Sequence, residues 1–134
     1  MKNAADNDCL TDLPYRVEFV NILDEFARNN KTDDVACLLD LNHFSDVNDG
    51  LGQDVGNQLL AAVASRLVLA LDGCKVARIG ADVFGIVGHK DLVNLDYLSS
   101  LFIEPFKAGE QKLPVNATLG FCQKQHAGVK GVKV

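Results

Sequence analysis

The chain lacks an excess of positive charge, a long hydrophobic run, a paired-cysteine motif and any internal repeat. Each absence narrows what it can do. Its 13 lysines and arginines are outnumbered by 18 aspartates and glutamates, leaving a formal net charge of -5. That balance argues against nucleic acid or an anionic membrane surface as the main partner, although a small anion whose charge is compensated locally remains compatible. The longest apolar tract, Leu59 to Leu71, is broken by Arg66 and is too short to span a bilayer. Residues 1–12 are polar and acidic, which does not read as a signal peptide. Cys9, Cys37, Cys74 and Cys122 are widely spaced, with no CxxC and no Cys/His pairing. Reduced thiols in a cytoplasmic protein are the expectation, rather than disulfides or zinc. No low-complexity block or linker divides the 134 residues, 48% of them hydrophobic, so one domain with its own core is expected.

What is present alternates between helical and extended patterning. Val17, Val20, Leu23 and Phe26 recur at helical spacing over residues 16–30, and Pro14 suits the approach to that helix. Val35 to Leu39 is apolar without alternation, as in a central strand covered on both faces, and it ends on Asp40. The Asn-, Asp- and Gly-rich stretch that follows reads as a loop reaching Gly56. Leu59, Leu60, Val63, Leu67 and Leu71 mark a second helix, and Asp72-Gly73 turns the chain into a strand at residues 74–79. A hairpin returns through residues 83–87. Leu95, Leu98, Leu101 and Phe102 predict a third helix stopped near Pro105, and residues 113–121 a last strand. The expected fold is an α+β sandwich, a central mixed β-sheet with flanking helices on one face.

Two acids stand out. Asp40 ends the central strand and Asp82 sits in the turn Arg78-Ile79-Gly80-Ala81-Asp82-Val83-Phe84. If their strands are neighbours, both carboxylates project near one point. Paired carboxylates beside a nucleoside triphosphate are the usual way to hold Mg²⁺ for phosphoryl or nucleotidyl transfer. A turn of small residues such as Gly80 lets backbone approach a phosphate. An aspartate that ends a strand is also a common turn former, and spacing alone does not separate the two roles.

Four ordered motifs break that tie. Residues 8–16, Asp-Cys-Leu-Thr-Asp-Leu-Pro-Tyr-Arg, resemble D-x-L-T-G-L-P-N-R. Residues 39–49, Leu-Asp-Leu-Asn-His-Phe-Ser-Asp-Val-Asn-Asp, resemble L-D-x-D-x-F-K-x-x-N-D. Residues 52–57, Gly-Gln-Asp-Val-Gly-Asn, follow G-H-x-x-G-D, and Gly80 to Phe84 reads as a variant of the signature turn. This order and spacing is similar to the GGDEF family, the diguanylate cyclases, which condense two GTP into cyclic di-GMP. The resemblance implies the nucleotidyl cyclase and polymerase palm fold. It implies Asp40, the Leu41 carbonyl and Asp82 as ligands of Mg²⁺, with Asp82 also the candidate base for the attacking 3′-hydroxyl. Asn48 would hydrogen-bond guanine, and Asn57, Gln53, Gly80 and Ala81 would lie at the substrate.

The departures fall in that same site. Val83 stands in place of the signature's glutamate, Ala81 adds a methyl group where a glycine allows close approach or positive φ, and Asn57 replaces an aspartate that accepts from guanine. Gln53 and Ser45 replace a histidine and a lysine. The implied role is therefore a degenerate domain in cyclic di-GMP signalling, catalytically inactive and acting as a GTP-binding regulatory module. A slow diguanylate cyclase working as a homodimer, or a structural dimerisation domain, are the alternatives. Residues 71–74, Leu-Asp-Gly-Cys, lack the R-x-x-D of the family's inhibitory product site, so feedback by cyclic di-GMP there is not expected. Nothing after Gln123 resembles the family's closing helix, which suggests a C-terminally truncated domain or a fragment of a longer protein carrying an EAL or sensor domain. His43 reads as a surface or packing residue; His89 and His126 have no evident partners, and the lysines of the tail read as solvated.

Overall fold

A computed structural model describes residues 10–11, 13–30 and 32–123 of the chain. Asp8, Cys9 and Asp12 of the opening motif, and the tail with His126, lie outside those residues. The elements run α1 (Arg16–Arg28), β1 (Asp34–Leu41), α2 (Phe44–Leu51), α3 (Gln53–Ala70), β2 (Lys75–Arg78), β3 (Val83–His89), α4 (Leu95–Ser100), β4 (Phe106–Ala108), β5 (Gln111–Leu113) and β6 (Ala117–Gln123). Four strands form one sheet in the order β2-β3-β1-β6, and β4 pairs with β5 separately. The α+β class is as expected. Each ladder of the main sheet is antiparallel. β1 and β2 do run in the same direction, joined through α2 and α3. The β2–β3 hairpin folds β3 back between them, so no parallel pair touches.

The core lies on both sides of this sheet. Val35, Cys37, Leu39 and Leu41 of β1 join Phe84 and Ile86 of β3 beneath Leu59, Leu60, Val63 and Leu67 of α3. Leu39, Phe84, Ile86 and Val63 are fully buried there. On the opposite face Phe19 and Phe26 of α1 cover Ala36, Ala77 and Val87. The expectation of helices on one face is thus corrected. The helical stripe of α1 is also rotated from the one expected, because Phe19 rather than Val17 and Val20 is buried, and the two valines are exposed. Phe19 takes that position because Gly85 leaves room: a Cβ at residue 85 would run into its ring. Cover on the α1 side stops partway along β1, where Leu38 is 49% exposed.

Two further expectations are corrected. The stretch expected to loop as far as Gly56 contains α2 and the start of α3. Phe44 is buried and Val47 packs against the core, so an apolar edge outweighs the turn-forming composition of Asn48-Asp49-Gly50. Gly52, at φ 98°, breaks the two helices apart. The last strand begins at Ala117 rather than Leu113, since residues 111–113 pair instead with residues 106–108 around Gly109 at φ 64°.

Candidate functional site

The ladder register sets the corner where β1 meets the signature turn. Asp40 lies opposite Val83 of β3 on one side and Thr118 of β6 on the other. Opposed residues of an antiparallel pair share a face, so Asp40 and Val83 project together on the α1 side of the sheet. Asp82 stands one residue before β3, and its carbonyl accepts from the Leu41 N–H at 2.9 Å. The backbones of Asp40, Leu41, Asp82 and Val83 therefore meet at one corner. Asp40 is exposed and Asp82 half-buried. Among the described residues no three His, Cys, Asp or Glu side chains group as a metal cage. The candidate donors from the sequence are the Asp40 and Asp82 carboxylates and the Leu41 carbonyl. Mg²⁺ is ordinarily held by one or two carboxylates with water and substrate phosphate oxygens, so this set fits a substrate-bridged ion and not a standing all-protein site.

The turn is built from backbone and one arginine. The N–H groups of Ile79 and Gly80 both donate to the Val83 carbonyl, at 2.9 and 3.3 Å. Arg78 donates from Nε to the Gly80 carbonyl at 3.2 Å and from Nη2 to the Ala81 carbonyl at 2.8 Å, splinting the turn. Sequence reasoning missed this role; the signal was an arginine two residues before the turn glycine. Neither Gly80 nor Ala81 is among the positive-φ residues. The Ala81 methyl therefore strains no backbone, and its only possible effect is on close approach. Beside the turn, Arg16 and Arg78 help to line a shallow cleft of ≈ 330 Å³ between the start of α1 and residues 78–81.

Asn42 and His43 alone connect β1 to α2. His43 is the only non-glycine with positive φ among the described residues, at 61°. That left-handed geometry costs about 1–2 kcal/mol. Its ring is exposed, with Nδ1 3.6 Å from the Asp46 carboxylate. The Thr118 hydroxyl donates to Asn42 Oδ1 at 2.8 Å, and the Asn42 N–H donates to the Asn116 carbonyl at 2.9 Å, so β6 holds this connection beside Asp40.

Asn48, Gln53 and Asn57 gather where α2 crosses α3. Asn48 Oδ1 is buried with no hydrogen-bond partner, pressed against Gly56, where any Cβ would overlap it. Such an orphan acceptor is rare in folded proteins. Gln53 Nε2 donates to Asn57 Oδ1 at 3.2 Å. Ser45 is exposed on α2.

Elsewhere, His89 has the partners that its sequence context did not reveal: Asp91 at 3.5 Å and Asp33 at 3.9 Å, at the far end of β3. Cys37 is buried, which pushes its thiol up to about 12, a hydrogen bond with the Gly120 backbone opposing the shift. Cys74 is also raised, chiefly by burial.

Residues 5–129 match the family described as diguanylate cyclase, GGDEF domain. The chain is similar to the signaling protein YkoW of Bacillus subtilis, 31% identical over 142 residues that cover 97% of this chain and 18% of YkoW. It is 30% identical to the cyclic di-GMP phosphodiesterase NbdA of Pseudomonas aeruginosa over 129 residues, 90% of this chain and 16% of NbdA. The chain thus spans less than a fifth of the length of either relative. In fold it is similar to the GGDEF domain of FimX from Pseudomonas aeruginosa, with a TM-score of 0.78 at 16% identity, covering 93% of this chain and 83% of that one. It is also similar to the GGDEF domain of DgcB from Caulobacter crescentus, solved in complex with c-di-GMP, with a TM-score of 0.73 at 25% identity, covering 90% and 78%.

Proposed function

Because the chain belongs to the GGDEF family of diguanylate cyclase domains, whose members work in cyclic di-GMP signalling, we propose that it is a guanine-nucleotide-binding regulatory module and not a competent cyclase. The observation that carries this reading is the register at the corner: the residue facing Asp40 across the ladder is Val83, where the family signature has glutamate. Hydrocarbon there removes an anionic donor from beside the ion that must offset charge on the triphosphate.

Asp40, Asp82 and the Leu41 carbonyl would hold Mg²⁺ against the nucleotide. When bound, the ion supplies charge neutralisation at the phosphates. Gly80 and Ala81 would meet the phosphates through backbone, while Asn48, Asn57 and Gln53 would face the base. Occupancy would then bias a partner, either a second copy or a sensor or phosphodiesterase domain of the parent protein, in the cytoplasm. Among the described residues no helix is long and apolar enough to cross a membrane.

Retention of both Asp40 and Asp82 at one corner favours the second reading, a slow diguanylate cyclase with Asp82 as base in a homodimer. Calorimetric titration with GTP, with and without Mg²⁺, tests the binding claim. Binding in the micromolar range or weaker, tightened by Mg²⁺ and weakened by Asn48→Ala, is expected. No heat at millimolar GTP would overturn it.

A further inference from the structure

Asn42 and His43 carry the chain from β1 into α2 under strain, since His43 holds φ 61°. A residue persists in that region only where its surroundings over-determine it. Here they come from β6, which lies on the far side of β1 from the signature turn. The Asn116 carbonyl accepts from the Asn42 N–H at 2.9 Å, and the Thr118 hydroxyl donates to Asn42 Oδ1 at 2.8 Å. The Asn42 N–H and the Leu41 carbonyl belong to one planar trans peptide unit and point in opposite directions. Holding the N–H against β6 therefore aims the Leu41 carbonyl to the other side of β1. On that side the Leu41 N–H meets the Asp82 carbonyl at 2.9 Å.

Unlike the Asp40 and Asp82 carboxylates, a backbone carbonyl has no side-chain torsion that can bring it onto an ion. Its aim is set by the peptide unit it shares with Asn42. The backbone bond to Asn116 is a single pivot for that unit. The Thr118 hydroxyl adds a second point, gripping the Asn42 side chain from the position opposite Asp40 in the β1–β6 ladder. One hydrogen bond and the strain at His43 are of similar size, so losing the bond lets the connection relax. Thr118 and Asn42 are both exposed, so the pair adds little to the core. We infer that Thr118 is a positioning residue, acting through Asn42 to aim the Leu41 carbonyl at a divalent ion shared with nucleotide phosphate. This inference rests on the nucleotide-binding reading above.

The test is binding of fluorescently labelled GTP to the full 134-residue chain, read by anisotropy in Mg²⁺ and in EDTA. Thr118→Val keeps the branched shape and removes the hydroxyl, Thr118→Ser keeps the hydroxyl, and Asn42→Ala removes the same bond from its other end. Thr118→Val and Asn42→Ala are each expected to lose about fivefold in affinity in Mg²⁺ and to match wild type in EDTA. Thr118→Ser should keep the wild-type response to Mg²⁺. In an Asn42→Ala background Thr118→Val should cost nothing further, because both changes remove one interaction. Circular dichroism of each variant checks that it is folded. A wild-type response to Mg²⁺ in folded Thr118→Val or Asn42→Ala would overturn the inference, as would an equal loss of affinity in Mg²⁺ and in EDTA. Wild-type GTP binding that is indifferent to Mg²⁺ would also overturn it and leave nucleotide binding standing. Failure of wild type to bind at millimolar GTP would overturn the nucleotide-binding reading, and this inference with it.

Discussion

Asp40 and Val83 are direct partners in the β1–β3 ladder and share one face of the sheet, so the carboxylate ending the central strand looks across at a branched hydrocarbon. In the family's signature that neighbour is itself an acid. A carboxylate pair at these positions repels in the absence of a cation and is drawn together by one, whereas Asp40 and Val83 do neither.

Placing the acid back therefore makes stability depend on a divalent ion. Like charges directly opposed across a ladder cost about 0.2–1 kcal/mol, so Val83→Glu should unfold at lower temperature in EDTA than wild type does. Mg²⁺ should recover the loss and raise the midpoint more for the variant than for wild type. Differential scanning fluorimetry at matched ionic strength measures both midpoints, and an equal Mg²⁺ response in the two chains contradicts the shared-ion geometry.

Gly85 is required by Phe19. A Cβ at residue 85 would overlap the buried ring that α1 lays on the sheet. Gly85→Ala should lose about 1–3 kcal/mol in urea unfolding, as overpacking does. The loss should shrink in a Phe19→Leu background, because the two sites touch and their effects cannot add.

Arg66 ties α3 to the segment before β4. Its guanidinium donates to the carbonyls of Leu101, Glu104 and Pro105 at 2.9, 2.7 and 2.9 Å, and lies 3.6 Å from the Phe106 ring centroid. Arg66→Ala should cost roughly 2–3 kcal/mol. Arg66→Lys should recover little of that, since an ammonium cannot reach three carbonyls from one planar fork. Unfolding midpoints of the two variants decide it.

Thiol chemistry should follow burial. Cys122 is exposed, Cys74 half-buried and Cys37 buried. Burial holds the Cys37 thiol up at about 12, leaving almost no thiolate at neutral pH. Of these three, timed iodoacetamide labelling with peptide mass spectrometry should find Cys122 alkylated first and Cys37 last. Early modification of Cys37 in the folded chain would contradict the packing of β1.

Elements with a strong apolar period were legible in the sequence. The unalternating run of β1, the leucines of α3 and the small-residue turn of the β2–β3 hairpin each gave the correct element. Their strand ends put Asp40 and Asp82 at the same end of the β1–β3 ladder. α2 was not legible, because Asn48-Asp49-Gly50 has the composition of a turn while the deciding contact is burial of Phe44. That omission hid a second feature. With the loop read as far as Gly56, Gln53 and Asn57 had no reason to be neighbours; on a helix they are four apart and bonded. The buried face of α1 was set by Gly85, sixty-six positions along the chain from Phe19, which no local pattern reveals. The three-residue strands β4 and β5 are too short to carry a period.

The central claim, a GGDEF domain that holds nucleotide but does not condense it, is tested most directly by its product. Purified chain incubated with GTP and Mg²⁺, then resolved by ion-exchange chromatography with mass detection, should return GTP with no cyclic di-GMP above the level of an Asp82→Ala control. Cyclic di-GMP accumulating in proportion to enzyme and time, and abolished by Asp82→Ala, would contradict the account and establish the slow cyclase in its place.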